Sequence, residues 1–149
     1  MTLDVYYLCQ TGKYAALLAG AFHLQILKPN LSFKCYRSYV EDNDIELFSP
    51  YFLGEDETGK RVYIVATDAE QKLIATIIKS FNTTFAKDKN IVIVDSLPKP
   101  NILLFAILKL NSLFFLKPFF QRLIPFAVWL NRHKIYASSL HIWERTTKA

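Results

Sequence analysis

A short turn near the N-terminus holds the side chains best suited to chemistry. Cys9, Thr11, Gly12 and Lys13 lie between an aromatic run at residues 3–9 and an apolar helical segment. Backbone N–H groups at the start of a helix attract phosphate or carboxylate, and a hydroxyl and an ammonium group would strengthen that attraction. Three interpretations remain open: a plain strand-to-helix turn with a solvated lysine, an anion-binding site, and a site of nucleotide hydrolysis.

The nucleotide interpretation depends on a partial motif match. Gly12-Lys13 resembles the end of a P-loop, in which Gly-Lys is followed by Ser or Thr. Here Tyr14 stands at the position of the magnesium-binding hydroxyl, and Tyr7 stands at that of the first glycine. Asp95, after the apolar run at residues 91–94, resembles a Walker B carboxylate, although many parallel strands end in Asp. The sequence therefore favours anion binding over phosphoryl transfer.

Cys9 occupies a position at which a thiol can be reactive, since a thiol at a helix N-terminus can ionise to the nucleophilic thiolate. Small phosphatases place a cysteine at this point of a similar fold, but they need an arginine six residues later. In this chain that residue is Ala15. A buried structural cysteine is the favoured interpretation, and a reactive cysteine is the alternative.

The remaining titratable residues show no pattern of a metal or cofactor site. His23 lies in an apolar helix, where a hydrogen-bonded core histidine is expected rather than a catalytic one. The acidic residues of two loops lack the ligand order of a calcium site and are expected to be solvated. These residues are Glu41, Asp42, Asp44, Glu46, Glu55, Asp56 and Glu57. The histidines and cysteines lack metal-type spacing, so no metal or cofactor is predicted.

The elements that must position these residues can be read from hydrophobic periodicity. Two apolar helical segments, 14–27 and one that Asp68 would cap, alternate with extended runs. The extended runs are 3–9, 31–40 (a weakly alternating, uncertain strand), 51–54, 61–67 and 91–94. Gly59 would supply a positive φ in a hairpin turn between 51–54 and 61–67. Two apolar helices at 101–116 and 119–135 and a helical tail from Tyr136 complete the chain.

This order of elements predicts one α/β domain over residues 1–149. Its architecture is a three-layer sandwich with a mainly parallel sheet of four or five strands, a hairpin and apolar C-terminal helices. Cys9 and Asp95 should then end adjacent parallel strands, near the same sheet edge where ligands gather in such folds. The predicted ligand residues are therefore Cys9, Thr11, Gly12, Lys13 and Asp95.

The last third of the chain is both basic and apolar. Residues 101–149 contain seven of the 18 Lys and Arg residues but only one of the 13 acidic residues. A spanning helix needs about 20 apolar residues, and a basic residue near the bilayer centre costs roughly 2.5–3.5 kcal/mol. The longest unbroken apolar run is residues 102–108, so this region is not expected to cross a membrane.

Two interpretations of that region remain open. The helices are either core elements with an oligomer interface or a helical pair lying on an anionic membrane. Any exposed apolar patch is expected on residues 113–130, and the predicted partner or membrane contacts are Lys117, Arg122, Trp129 and Arg132. Nucleic-acid binding is disfavoured because the basic residues are sparse and the aromatic residues are expected to be buried.

Several short segments resemble a known family. They are Val5-Tyr6-Tyr7 with Cys9, Ala21-Phe22-His23-Leu24, Phe52 with Gly54, Asp56-Glu57-Thr58-Gly59, Val62-Tyr63, and Val94-Asp95-Ser96-Leu97-Pro98 with Asn101. In this order they resemble the bacterial domain of unknown function DUF3189, which is found mainly in spore-forming Firmicutes. The resemblance implies no established activity. Members typically carry a glycine-rich loop followed by His-Ser after the first strand, and this chain has Thr11-Gly12-Lys13-Tyr14-Ala15 there instead.

The sequence as a whole favours a non-catalytic interaction or peripheral-membrane protein. Its partner would be a second copy of the chain or an anionic membrane surface, contacted through residues 101–135. The alternative is a protein or enzyme that binds a small phosphate or nucleotide-like anion at the first turn. The start of the chain lacks the basic region of a signal peptide, and reduced thiols at Cys9 and Cys35 are the default expectation. A cytoplasmic location, with or without membrane association, is therefore expected.

Overall fold

The computed structural model describes residues 2–9, 11, 13–67, 71–85, 90–97, 101–110 and 117–148. Within these residues four strands form one sheet in the order β2-β3-β1-β4. The strands are β1 (Leu3–Cys9), β2 (Pro50–Glu55), β3 (Arg61–Ala66) and β4 (Asn90–Asp95). β1 pairs in parallel with β3 and β4, and β2 pairs antiparallel with β3 as a hairpin. The predicted α/β class with a mainly parallel sheet and a hairpin is confirmed.

Six helices occur in the same described residues. They are α1 (Tyr14–His23), α2 (Phe33–Asp42), α3 (Gln71–Phe85), α4 (Ile102–Leu110), α5 (Lys117–Leu130) and α6 (Arg132–Thr147). α1 ends four residues before the predicted limit, because Gln25 adopts a φ of 58°, which a right-handed helix cannot contain. The predicted cap at Asp68 lies outside the described residues.

The predicted strand at residues 31–40 is wrong, because this segment forms α2. The Ser32 hydroxyl accepts a hydrogen bond from the Cys35 amide at 3.2 Å and so caps the helix. The buried residues are Tyr36 and Val40, which lie four residues apart on one helical face. The weak alternation in the sequence concealed this spacing. One consequence is that Arg37 lies on the solvent side of a helix.

α1 forms the centre of the protein, between the sheet on one side and α5 and α6 on the other. Nearly all of its residues are buried for this reason. Gly20 allows the close approach to the sheet, since a Cβ there would lie 2.6 Å from Ile64 Cδ1 and 2.8 Å from Leu53 Cδ2. α3 covers the opposite sheet face through Ile74, which packs with Leu8 and Val65. Helices on both faces give the predicted three layers.

The apolar side chains of α3 are only partly buried. Ile74 is buried and Ile78 is half-buried against the sheet. Leu73, Ile77 and Phe81 are each more than half exposed. α3 therefore presents an apolar flank to solvent beside the face that it packs.

Candidate functional site

The structure places Cys9 and Asp95 at the ends of adjacent parallel strands, as predicted. Leu8 lies opposite Asp95 in the register of β1 and β4, so both strands end at the same sheet edge. Because strand side chains alternate, Asp95 shares a face with Leu8, which packs beneath α3, whereas Cys9 belongs to the core beneath α1. The sheet therefore separates the two side chains. Asp95 Oδ1 accepts a hydrogen bond from the Leu97 amide at 3.0 Å, within the turn that follows β4.

The described residues of the first turn have intramolecular roles. The buried Thr11 hydroxyl accepts a hydrogen bond from the Ala15 amide, in the first turn of α1, at 3.2 Å. Lys13 Nζ donates to the carbonyl oxygens of Val40 at 3.2 Å and Asn43 at 2.8 Å. These carbonyls lie at the C-terminal end of α2, where the helix dipole favours a cation. Gly12 lies outside the described residues, and anion binding at this turn stays a prediction.

Replacing Lys13 by Ala should lower the free energy of unfolding by about 1–2 kcal/mol, because two carbonyls lose a charged, partly buried donor. Urea denaturation measures the loss. Lys28→Ala is the control, since Lys28 is exposed and its removal should change stability by less than about 0.5 kcal/mol. Equal stability of the two variants would contradict a stabilising role for the hydrogen bonds from Lys13 to the end of α2.

Lys13 also lines a groove of about 920 Å³, which lies between α2, α5 and the N-terminal end of α1. Two further cations, Arg37 and Arg122, line it, and Glu41 is the one carboxylate among its described lining residues. Arg37 Nε donates to Glu41 at 2.9 Å, and both side chains are well exposed. Arg122 makes no hydrogen bond or ion pair with any residue that the structure describes. The groove thus joins Lys13, predicted as an anion ligand, to Arg122, predicted as a membrane contact.

α4 and α5 pack against each other and expose apolar side chains outward. On α4, Leu104 and Ile107 are buried, while Ile102 is 87% exposed. We call the exposed large apolar side chains and the exposed basic side chains of both helices, apart from Leu130 at the end of α5, the α4–α5 surface. Its members are Ile102, Leu103, Phe105, Lys109, Leu110, Phe119, Arg122 and Phe126. The exposed patch therefore lies on α4 as well as on the predicted segment 113–130, of which residues 113–116 are outside the described part.

Two of the four predicted contact residues fasten the C-terminal helices to the rest of the protein. Trp129 Nε1 donates to the Leu31 carbonyl at 3.0 Å, and Arg132 Nε donates to the Pro29 carbonyl at 3.1 Å. The Arg132 guanidinium also lies over the Trp129 ring, 4.2 Å from its centroid. Lys117 begins α5, but its side chain is outside the described residues. No helix in the described ranges has the length and apolar character needed to cross a membrane.

A buried polar network joins the end of α1 to the hairpin. The Tyr7 hydroxyl lies 2.8 Å from His23 Nδ1, and His23 Nε2 lies 3.1 Å from Asp56 Oδ2. The hydrogen-bonded core histidine predicted at residue 23 is confirmed. The prediction that Asp56 is solvated is wrong, because its carboxylate is 3% exposed and lies 3.6 Å from Lys60 Nζ. The hairpin turn folds against α1 and so carries Asp56 inward.

The protonation states in this network follow from burial and hydrogen bonding. Burial lowers the pKa of His23, although hydrogen bonding to Asp56 partly opposes this. Burial acts to raise the pKa of Asp56, but hydrogen bonds from Thr58, Lys60 and His23 together lower it to about 2. Burial also raises the pKa of Tyr7 well above its usual value. At neutral pH the network therefore holds a carboxylate, a neutral imidazole and a protonated phenol.

Tyr7, His23 and Asp56 were not predicted as a group. Each belongs to a different segment that carries the family resemblance, so those segments were the available signal. A mostly apolar pocket of about 300 Å³ adjoins the network. His23 lines this pocket, although the side chains of Tyr7 and His23 are fully buried by solvent exposure. The geometry supports a network that fastens α1 to the hairpin.

The lowered pKa of His23 predicts an acid-sensitive stability. The folded protein holds the proton on His23 less readily than the unfolded chain, whose pKa lies near 6.5. The stabilisation is therefore complete above that pH and falls as the pH drops below it towards the folded value. The free energy of unfolding should decrease from pH 7 to pH 5, and the decrease should be smaller in His23→Gln. The exposed His133, replaced by Gln, is the control and should retain the full decrease.

Comparison with known proteins matches residues 4–136 to the family model described as "Protein of unknown function (DUF3189)". This match covers most of the chain, including all of the sheet except Leu3, the groove and the network residues. No curated protein and no solved structure matches the chain.

Proposed function

The chain belongs to the family of proteins of unknown function DUF3189, and from that premise we propose that it is a non-catalytic peripheral protein that docks on an anionic membrane through α4 and α5. The observation that supports this is the α4–α5 surface, which combines exposed apolar side chains with exposed basic ones. Ile102 is 87% exposed and Phe119 is 60% exposed, and Lys109 Nζ lies 4.7 Å from the Phe105 ring centroid. The described part of α4 and α5 contains no acidic residue.

A lipid surface suits these residues better than a second copy of the chain. The hydrocarbon boundary would take up the apolar side chains, and each basic residue contributes about 1 kcal/mol near anionic headgroups. A two-fold symmetric dimer through the same surface would bring Lys109 and Arg122 towards their own copies. Such a seam offers no carboxylate to neutralise them.

The exposed flank of α3 lacks this combination of apolar and basic side chains. Lys72 and Lys79 are its cations, and its exposed apolar residues include Leu73 and Ile77. At about 100° per residue, Lys72 lies about 140° around the helix from Ile77. In α4, by contrast, Lys109 lies seven residues from Ile102 and four from Phe105, so these side chains share one face. α3 therefore supplies matched controls for substitutions on α4.

The proposal is tested by co-sedimentation with vesicles of phosphatidylcholine alone and with added phosphatidylglycerol, alongside a light-scattering mass. The protein should bind only the vesicles that contain the anionic lipid. Replacing Ile102 by Ser should weaken binding about tenfold, because the removed apolar area contributes roughly 1.4 kcal/mol when buried in lipid. Ile77→Ser on α3 should leave binding unchanged.

Two results would contradict the proposal. A monomer that binds neither kind of vesicle would leave the α4–α5 surface without a membrane role. A dimer that Ile102→Ser converts to a monomer would assign the surface to self-association instead.

A further inference from the structure

The groove between α2 and α5 lies beside the α4–α5 surface and shares two residues with it. Arg122 and Phe126 line the groove and are also exposed on α5. If α5 lies on a membrane, as proposed above, a lipid beside it reaches the groove without passing through solvent. The groove is thus placed to receive part of a lipid.

The charges in the groove suit a doubly charged anion. Lys13, Arg37 and Arg122 come from three separate segments, whereas Glu41 is the single described carboxylate. Arg37 uses only Nε in its contact with Glu41, so its terminal nitrogens have no partner among the described residues. A guanidinium presents a planar fork of donors that matches phosphate oxygens. Lys13 Nζ is held in place by two carbonyls, which fixes a third positive charge in the lining of the same groove.

The apolar lining favours a lipid over a free phosphate. Phe33, Pro118, Pro125 and Phe126 lie among the groove residues, beside the cations. A free phosphate would gain nothing from these side chains. A glycerophospholipid would place its phosphate at the arginines and its glycerol and first acyl carbons against the rings.

We infer that this groove binds the phosphomonoester headgroup of an anionic phospholipid of the phosphatidic acid class. The inference rests on the proposed membrane docking, to which it adds a headgroup preference. A phosphodiester lipid such as phosphatidylglycerol carries one negative charge and a bulky substituent on the phosphate. It therefore matches the three cations that line this groove less well.

The test compares vesicles containing phosphatidic acid with vesicles containing phosphatidylglycerol, adjusted to the same zeta potential. The wild-type protein should bind the phosphatidic acid vesicles about tenfold more tightly, as expected for charge-assisted hydrogen bonds that only the phosphomonoester completes. Arg37→Gln should remove this preference while weakening binding to phosphatidylglycerol vesicles by no more than about fivefold, the loss expected for one basic residue near anionic headgroups. Arg145→Gln, which removes an exposed arginine of α6, should keep the preference.

A third experiment adds glycerol 3-phosphate as a competitor. It distinguishes a groove that binds a lipid headgroup from one that binds a free phosphate. It should displace the protein from phosphatidic acid vesicles only at millimolar concentration. Efficient competition at micromolar concentration would overturn the lipid assignment in favour of a small phosphate. Equal binding to both vesicle types would overturn the inference while leaving membrane docking intact, and binding to neither would overturn the proposed function itself.

Discussion

Replacing Asp56 by Ala is expected to lower the free energy of unfolding by about 3–5 kcal/mol, the cost typical of breaking a buried ion pair from one side. Asp56 accepts hydrogen bonds from His23, from the Thr58 hydroxyl and from the Lys60 amide. It is also the counter-ion of Lys60, whose side chain is only 7% exposed. Without the carboxylate, Lys60 Nζ would keep the Thr147 hydroxyl, 3.0 Å away, as its described partner. A buried ammonium with a neutral partner is strongly destabilising.

Glu57→Ala provides a control for this experiment within the same turn. Glu57 is exposed, so its removal should change stability by less than about 0.5 kcal/mol. The free energy of unfolding of Asp56→Asn should lie between those of Asp56→Ala and Glu57→Ala, since the amide keeps an acceptor oxygen but loses the charge. Urea denaturation followed by circular dichroism measures all three variants. If Asp56→Ala were as stable as Glu57→Ala, the network would not hold the hairpin to α1.

Local patterns in the sequence were sufficient to predict much of the fold. β1 and β4 are short strands at the apolar and aromatic runs that predict them, and the hairpin turn has Gly59 at a φ of 82°, as the sequence predicts. The error at residues 31–40 has a tertiary cause. Tyr36 is fully buried against the core and its hydroxyl donates to the Tyr14 carbonyl, a contact between residues 22 apart. Burial of this kind overrides a weak local pattern.

The candidate groove could be predicted only in part. Lys13 and Arg122 were each singled out, but for two different sites, because nothing in the sequence places α5 beside α2. Arg37 was missed because the segment containing it was predicted as a strand. Asp56 shows the same limitation, since an acidic residue in a turn is solvated unless another element packs over it. Here the end of α1, with His23, occupies that position.

The largest expected effect on function comes from reversing charge on the α4–α5 surface. Each of Lys109 and Arg122 should contribute about 1 kcal/mol near anionic headgroups, and a glutamate in its place is repelled by a similar amount. Lys109→Glu combined with Arg122→Glu therefore costs about 4 kcal/mol, or roughly a thousandfold in partitioning. Vesicles containing phosphatidylglycerol at low ionic strength are the appropriate probe, because they carry no phosphomonoester and so report docking rather than headgroup preference.

The control for charge reversal must distinguish the effect of charge on one surface from the effect of the overall net charge of +5. Lys72→Glu combined with Lys79→Glu on α3 changes the net charge by the same amount on the opposite face of the sheet. If α4 and α5 contact the membrane, this control should lose far less binding than the α4–α5 variant. Added salt should weaken vesicle binding by the wild-type protein and by the control. It should have little further effect on vesicle binding by the α4–α5 variant. Equal losses in both double variants would show that diffuse positive charge, and no particular surface, attracts the protein to anionic lipid.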